Sequence, residues 1–399
     1  MVPSIRQQYN QAFTETIYQQ YLNELNSLHP GAIEFRVAET PVFIDRSFKE
    51  KILSACESIV DVITQPDFPA RSAHAIPADL NVPNETSFSQ FIAFDFGICE
   101  NESGDLEPQL IEMQGFPTLF GYQVWQDDCC RRHFHIPDHY STYLNGLTRD
   151  TYLQLLREVI LGKHAPEEVI LLEILPHQQK TRIDFYCTAD YTGIPIVCLT
   201  ELQQEGRRLF YEKDGKKMPV KRIYNRIIFD ELQQQSAEIQ EKGKLLFQDL
   251  DVEWVPHPNW FYRISKHSLP FIQHPYVPPA TFLSDLHSIP ANLEDYVLKP
   301  LFSFAGQGVV IDVTQADIEG VKDRENWILQ RKVKYANVIQ TPDNDAAKAE
   351  IRIFYFWKDG TARPIPVNNL ARLSKGKMIG VRYNKDKTWV GGSLVYFEQ

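Results

Sequence analysis

Three groups of residues in this chain have the types and spacing for phosphate and cation chemistry. Tyr296-Val297-Leu298-Lys299-Pro300 is an apolar run closing on a lysine, followed by Phe302-Ser303-Phe304-Ala305-Gly306-Gln307-Gly308 and then by Val309-Val310-Ile311-Asp312-Val313. The pattern predicts a β-hairpin with a loop small enough to fold over phosphates. Glycine lets backbone N–H groups approach an anionic oxygen, and the lysine adds a point charge. A surface hairpin with a solvated lysine would carry the same pattern. Further on, Trp327-Ile328-Leu329-Gln330-Arg331-Lys332-Val333 predicts a strand that turns polar at its end. A strand-to-loop edge of this kind can offer N–H and C=O groups to an adenine ring.

The second group is acidic. Asp95 ends the apolar run Phe91-Ile92-Ala93-Phe94, and Leu110-Ile111-Glu112-Met113-Gln114 follows a polar turn at Asn101-Glu102-Ser103-Gly104-Asp105. Residues two apart in a strand share a face, so an antiparallel hairpin would set Asp95 beside Glu112 and Gln114. Two carboxylates and an amide oxygen suit Mg²⁺, a hard cation that prefers oxygen ligands. Acids on a solvated hairpin face are the alternative. The third group is Arg226, Arg352 and Arg372, each within or beside strand-like apolar sequence. A partly buried arginine needs an anionic partner, either a carboxylate of the protein or a ligand phosphate.

Composition narrows the classes. The chain has 399 residues, 43% apolar and 23% charged, with a formal charge of −11. That balance argues against nucleic acid as a partner. The last fifty residues run the other way, with nine Lys and Arg against four acids from Glu350 onward, which suits a small polyanion. No run approaches the roughly 20 apolar residues of a membrane helix, and Met1-Val2-Pro3-Ser4-Ile5-Arg6 opens no leader pattern. A cytoplasmic protein without a membrane partner is the expectation. The six cysteines show no C-x-x-C spacing, so reduced, buried thiols are expected rather than zinc or disulfides. His133, His135 and His139 do not have the spacing of a metal site. No G-x-G-x-x-G stands between a strand and a helix, which excludes a nicotinamide dehydrogenase.

The elements that must position these groups follow from hydrophobic period. Tyr18, Tyr21, Leu22, Leu25 and Leu28, then Phe48, Ile52, Leu53, Cys56, Ile59 and Val60, predict two helices around a break at His29-Pro30-Gly31. Residues 150–290 alternate. Leu153 to Ile160 reads as helix, and Val169–Leu172, Ile194–Val197 and Ile223–Ile228 read as strands. The expected division is 1–88 helical segment, 89–290 α/β body with the metal-binding hairpin and substrate region, 291–335 nucleotide lid and 336–399 C-terminal strands.

In this order the pieces resemble the ATP-grasp ligases, in the circularly permuted arrangement of the glutathionylspermidine synthetase-like group. The resemblance rests on Asp95 with Glu112-Met113-Gln114-Gly115-Phe116-Pro117, on Ile223-Tyr224-Asn225-Arg226 and on Asn259-Trp260 with Lys266 and Leu269-Pro270. It continues through Leu298-Lys299-Pro300 with the loop to Gly308, Ile328-Leu329-Gln330, Asn369-Leu370-Ala371-Arg372 and Thr388-Trp389-Val390-Gly391-Gly392. It implies an α+β ATP-grasp fold, in which two α+β units grip ATP beneath a mobile β-hairpin lid after an N-terminal helical segment.

By the same resemblance Lys299, Ser303, Phe304, Gly306, Gly308, Gln330, Arg331, Lys332 and Val333 would bind ATP. Asp95, Glu112 and Gln114 would hold Mg²⁺, and Arg226, Arg352 and Arg372 would be catalytic. The family activates a small carboxylate as an acyl phosphate, which an amine then attacks. Two departures stand out: Gln114 where the family has asparagine, and Ala93 where relatives carry an arginine. They leave open a second reading, a catalytically weak nucleotide-binding protein with a regulatory or interaction role.

Overall fold

The computed structural model describes residues 2–301, 308–376, 379 and 384–399. The inner strand Phe91–Glu100 is buried at every position before Glu100, as a run apolar on both faces requires. It belongs to a five-stranded antiparallel sheet in the order Gly391–Ser393, Ile365–Ser374, Lys348–Phe356, Phe91–Glu100, Leu106–Gln114. The sheet thus draws its strands from two stretches of chain more than 200 residues apart.

Period-two alternation gives the sheet two different faces. Ile92, Phe94, Phe96, Ile98, Ile351, Ile353 and Tyr355 share one core cluster with Ile52, Ile59 and Val60 of the helix Arg46–Ile63. On the other face Phe91, Ala93, Phe354 and Phe356 share a cluster with Phe120 and Leu156, from the helices Phe120–His133 and Arg149–Leu161. Further along this second face the side chains turn polar. Asp95 stands opposite Glu112 on one side and Arg352 on the other, while Glu350 lies between Gly97 and Arg372.

A parallel sheet is set beside it in the order Glu253–Val255, Arg222–Asn225, Val169–Glu173, Ile196–Cys198. Chain order reverses between Val169–Glu173 and Arg222–Asn225, making that gap a topological switch point. A third, antiparallel sheet has Trp327–Arg331 in the middle, flanked by Ala280–Phe282 and Tyr296–Pro300. The two expected N-terminal helices are Glu15–Leu28 and Arg46–Ile63, and a further helix, Pro3–Ala12, precedes them. Between them Val42–Ile44 pairs in parallel with Val395–Glu398, a contact that no local pattern announces.

One expectation changes in the third sheet. Of the return arm expected at Val309–Val313, Val310 alone bridges Leu298, through two backbone bonds of 3.0 and 2.9 Å. Trp327–Arg331 is the expected strand and lies in the middle of its sheet, paired on both sides. Its polar exit is partly occupied too, because the Lys332 N–H donates to the Asp295 carbonyl at 2.7 Å.

The paired glycines near the C-terminus have a structural reason. Gly391 has φ +123°, and a Cβ there would lie 2.4 Å from the Arg36 carbonyl oxygen, which accepts the Gly392 N–H at 2.8 Å. Gly391→Ala is expected to cost about 2 kcal/mol or more from backbone strain and contact, read as a lowered guanidinium unfolding midpoint.

Candidate functional site

The polar end of the five-stranded sheet gathers Asp95, Glu112, Gln114, Arg352, Arg372, Lys299 and Gln330, seven of the fifteen residues singled out by sequence. Asp95 is 1% exposed, and Arg352 grips it by two bonds, Nε to Oδ1 at 2.6 Å and Nη2 to Oδ2 at 2.6 Å. Arg372 Nη2 donates to the same Oδ2 at 2.8 Å and also bonds the buried Glu350 carboxylate. Tyr335 closes the row, its hydroxyl donating to Glu350 at 3.0 Å. Burial pushes the Asp95 carboxyl up, but the charge and hydrogen bonds of Arg352, with Arg372 behind it, more than reverse this and hold it below the usual range. For Glu350 burial outweighs the pull of Arg372, and its pKa is raised. These charge-assisted contacts supply the anionic partners that the two arginines needed.

Tyr335 reaches this row because the chain after the third sheet is stitched to the end of Phe91–Glu100. Glu100 N–H donates to the Lys334 carbonyl at 3.1 Å and Ala336 N–H to the Ile98 carbonyl at 3.0 Å. Gly97 leaves room for the ring, since a Cβ there would meet Tyr335 Cε1 at 2.7 Å.

Lys299 approaches from the third sheet. Between Asp95 and Phe96 the pairing steps from Glu112 to Leu110, leaving Ile111 over as a β-bulge. Bulges recur beside functional sites because they turn a backbone group or side chain out of the ladder. The Ile111 carbonyl accepts from Lys299 Nζ at 3.3 Å, and the buried Gln330 Oε1 accepts from it at 2.6 Å. Lys266, from the short helix Lys266–Phe271, places its Nζ 3.8 Å from Glu112 Oε1. Burial lowers the pKa of Lys299 to about 8, against the attraction of Glu112 and with the help of Lys266. Lys266 is lowered for the same first reason, opposed by Glu112.

Glu112 and Gln114 lie side by side on the site face, Gln114 Nε2 donating to Glu112 Oε2 at 3.2 Å. With Asp95 they form the set considered for Mg²⁺, and as a set they do not fit it. Three of the roughly four lone-pair positions of the Asp95 carboxylate are taken by guanidinium donors. Among the described residues no three His, Cys, Asp or Glu gather at metal-binding distance. Glu112 and Gln114 remain as a pair of oxygen-bearing side chains flanked by Lys266.

Arg226 belongs to a different place. It follows the strand Arg222–Asn225 at the switch point of the parallel sheet, where open α/β sheets bind ligands outside the carboxyl ends of their strands. Its Nη1 donates to the Pro117 carbonyl at 2.7 Å, and the guanidinium lies 4.5 Å over the Phe116 ring. Arg226 Nε and Asn225 Nδ2 are buried with no hydrogen-bond partner among the described residues. Glu173, closing the neighbouring strand, is 5% exposed, and burial pushes its carboxyl up to about 8 against the Ile174 N–H and Arg226. Its folded pKa lies above the unfolded value of 4.5, so its stabilising contribution is lost as pH rises from about 4.5 to about 8. Glu173→Gln is expected to flatten that part of the stability profile, measured by guanidinium unfolding at pH 5 and pH 8.

The two places are joined by chain. Gly115 N–H donates to the Ile264 carbonyl at 2.9 Å, and Ser89 donates to the Gly115 carbonyl at 3.0 Å. A side chain at Gly115 would strike the Trp260 carbonyl at 2.3 Å, so the glycine after Gln114 is sterically required. Gly308 has φ +71°. Ser303, Phe304 and Gly306 lie outside the described residues. Arg331 is exposed, and Lys332 Nζ is 3.9 Å from Asp312. Lys332 thus meets Asp312 rather than the Asp95 row.

Glu350, Tyr335 and Lys266 join the site, and Glu173 and Asn225 the switch point, without having been counted as site residues from sequence. For Glu350 the signal was present, two positions before Arg352 on the same strand face. Asn369 proves structural. Its amide donates to the Thr142 and Val395 carbonyls at 2.8 and 2.9 Å and accepts the Val395 N–H at 2.7 Å.

No protein-family description matches the sequence, and no curated protein matches it. A solved structure does match in fold: the apo form of a glutathione synthetase-like effector (GSS30) from Globodera pallida. The two share 11% identity over 90% of this chain and 94% of that one, with a TM-score of 0.59. At that identity the likeness is one of architecture, so this mixed α+β chain shares the fold of a glutathione synthetase-like protein.

Proposed function

We propose that the chain is an ATP-dependent carboxylate–amine ligase of the ATP-grasp type. The observation that carries the reading is the convergence of Lys299, Lys266 and Arg372 around Glu112 and the Asp95 row. Two cations with burial-lowered pKa values and a half-exposed arginine make a receptor for triphosphate oxygens. Arg226 and Glu173, at the switch point, would take the acceptor acid. The γ-phosphoryl group would pass to a carboxylate oxygen with ADP leaving, and an amine would then attack the acyl carbon and release phosphate. Such chemistry asks the protein for alignment and charge neutralisation rather than covalent help. The shared fold with a glutathione synthetase-like protein supports the reading.

A second reading, a nucleotide-binding protein without ligase turnover and with a regulatory or interaction role, is favoured by the engagement of Asp95 with two arginines. Titration calorimetry of ATP into the protein, with and without Mg²⁺ and beside Glu112→Ala, tests the nucleotide site. ATP hydrolysis that depends on an added acid and amine separates the two readings. The ligase reading expects both binding and acceptor-dependent hydrolysis. The second expects binding alone, and absence of binding removes both.

A further inference from the structure

We propose that Asp95 is a fixed counter-ion that positions Arg352 and Arg372, and that it does not ligate a metal. A cation ligand must turn a lone pair toward an open position, because Mg²⁺ keeps near-octahedral geometry and several waters. Asp95 is 1% exposed and meets guanidinium donors on both oxygens, at 2.6, 2.6 and 2.8 Å. Arg352 is itself 9% exposed, and no other carboxylate pairs with it among the described residues. Removing Asp95 would leave that guanidinium buried without compensation, an arrangement proteins tolerate poorly.

Arg372 differs in the way this role requires. About 41% of its side chain is exposed, while its inner Nη2 is braced by Asp95 and Glu350 together. Glu350 is held in turn by Tyr335. Asp95 therefore acts as a positioning residue, fixing an arginine whose outer edge is free to meet an anionic group. That last use rests on the ligase reading; the counter-ion role does not.

The two roles of Asp95 predict opposite effects on the metal-free protein. A metal-ligand carboxylate facing Glu112 across the strand pair suffers repulsion until the cation arrives, so Asp95→Asn would leave the Tm in EDTA unchanged or raise it. A counter-ion lowers it, here by about 5 °C or more. Because Asp95→Asn can prevent folding, the double variant Asp95→Asn with Arg352→Gln provides a second measurement. It removes both charges and leaves Arg372 paired with Glu350, so the Tm is expected to recover by more than half. Mn²⁺ is the metal probe, followed without nucleotide by loss of its free EPR signal on binding the protein. In the double variant its apparent affinity should stay within about twofold of wild type. A Tm that does not fall in Asp95→Asn, or a tenfold loss of Mn²⁺ affinity in the double variant, overturns the proposal. If wild-type protein binds neither ATP nor Mn²⁺, the ligase reading fails while the stability measurement still decides the role of Asp95.

Discussion

Lys299→Met is expected to weaken ATP binding by about 10- to 100-fold, the roughly 1.5–3 kcal/mol of a hydrogen bond to a charged group, with the fold intact. Methionine keeps the apolar stem that leads from the third sheet toward the Ile111 bulge, and removes only the ammonium group bonded to Gln330 Oε1. The pH dependence sharpens the test. With a pKa lowered to about 8 by burial, Lys299 is charged at pH 7 and mostly neutral at pH 9. Wild-type affinity for ATP should therefore fall over that interval, whereas that of Lys299→Met should change less.

Stability runs the opposite way. Between about 8 and the ordinary 10.5 the unfolded chain holds a proton on this lysine that the folded chain does not. The group's contribution to stability therefore rises with pH across that window, and it disappears in the methionine variant. Calorimetry at pH 7 and 9 and guanidinium unfolding at pH 8 and 10 read the two effects. An unchanged ATP affinity in Lys299→Met would remove the lysine from the nucleotide site.

Asp184→Ala is expected to be the most destabilising single change considered, by about 4 kcal/mol or more. Asp184 is fully buried on the helix Arg182–Thr192, yet it serves another element. Its carboxylate accepts the Thr118 hydroxyl at 3.0 Å and the Leu119, Gly121 and Tyr122 N–H groups at 2.8, 2.8 and 3.0 Å. Those N–H groups open the helix Phe120–His133, whose own N-cap residue, Leu119, makes no side-chain cap. Alanine would leave three backbone donors, those of the buried Gly121 and Tyr122 and the half-buried Leu119, without an acceptor and remove a negative charge from a helix N-terminus. The segment that Asp184 holds is continuous with Pro117, the carbonyl partner of Arg226, so loss of order there should spread to the switch point. Asp184→Asn, which retains one acceptor oxygen, should lose roughly half as much. Equilibrium unfolding in guanidinium measures both, and a loss below about 1 kcal/mol for alanine would mean the helix start is held by other contacts.

The Asp95–Glu112 juxtaposition was legible from sequence because it needs only an alternating pattern and a short turn. Asn101 closes that turn by accepting the Ser103 and Asp105 N–H groups at 3.0 and 2.9 Å, and antiparallel pairing does the rest. The buried strand Val169–Glu173 and the N-terminal helices were legible for the same reason, since a period of two or 3.6 is a local property. Trp327–Arg331 shows the limit. Its existence as a strand follows from composition, but its place in the middle of a sheet depends on Ala280–Phe282, nearly fifty residues earlier.

Residue types and short-range spacing therefore suffice for which segments become strands and helices, where the acidic and basic side chains stand along them, and that the thiols are buried and unpaired. Partnership lies beyond them. Arg352 and Asp95 are separated by 257 positions in the chain, and they meet because Lys348–Phe356 pairs with Phe91–Glu100 in one register. A slip of one residue would send Arg352 to the opposite face, into the apolar cluster beneath the helix Arg46–Ile63. Register and sheet order are set by the summed burial of whole strands, a quantity no local window contains. They determine that Asp95 faces arginines, that Lys299 reaches the bulge at Ile111, and that Arg226 stands apart at the switch point of the parallel sheet.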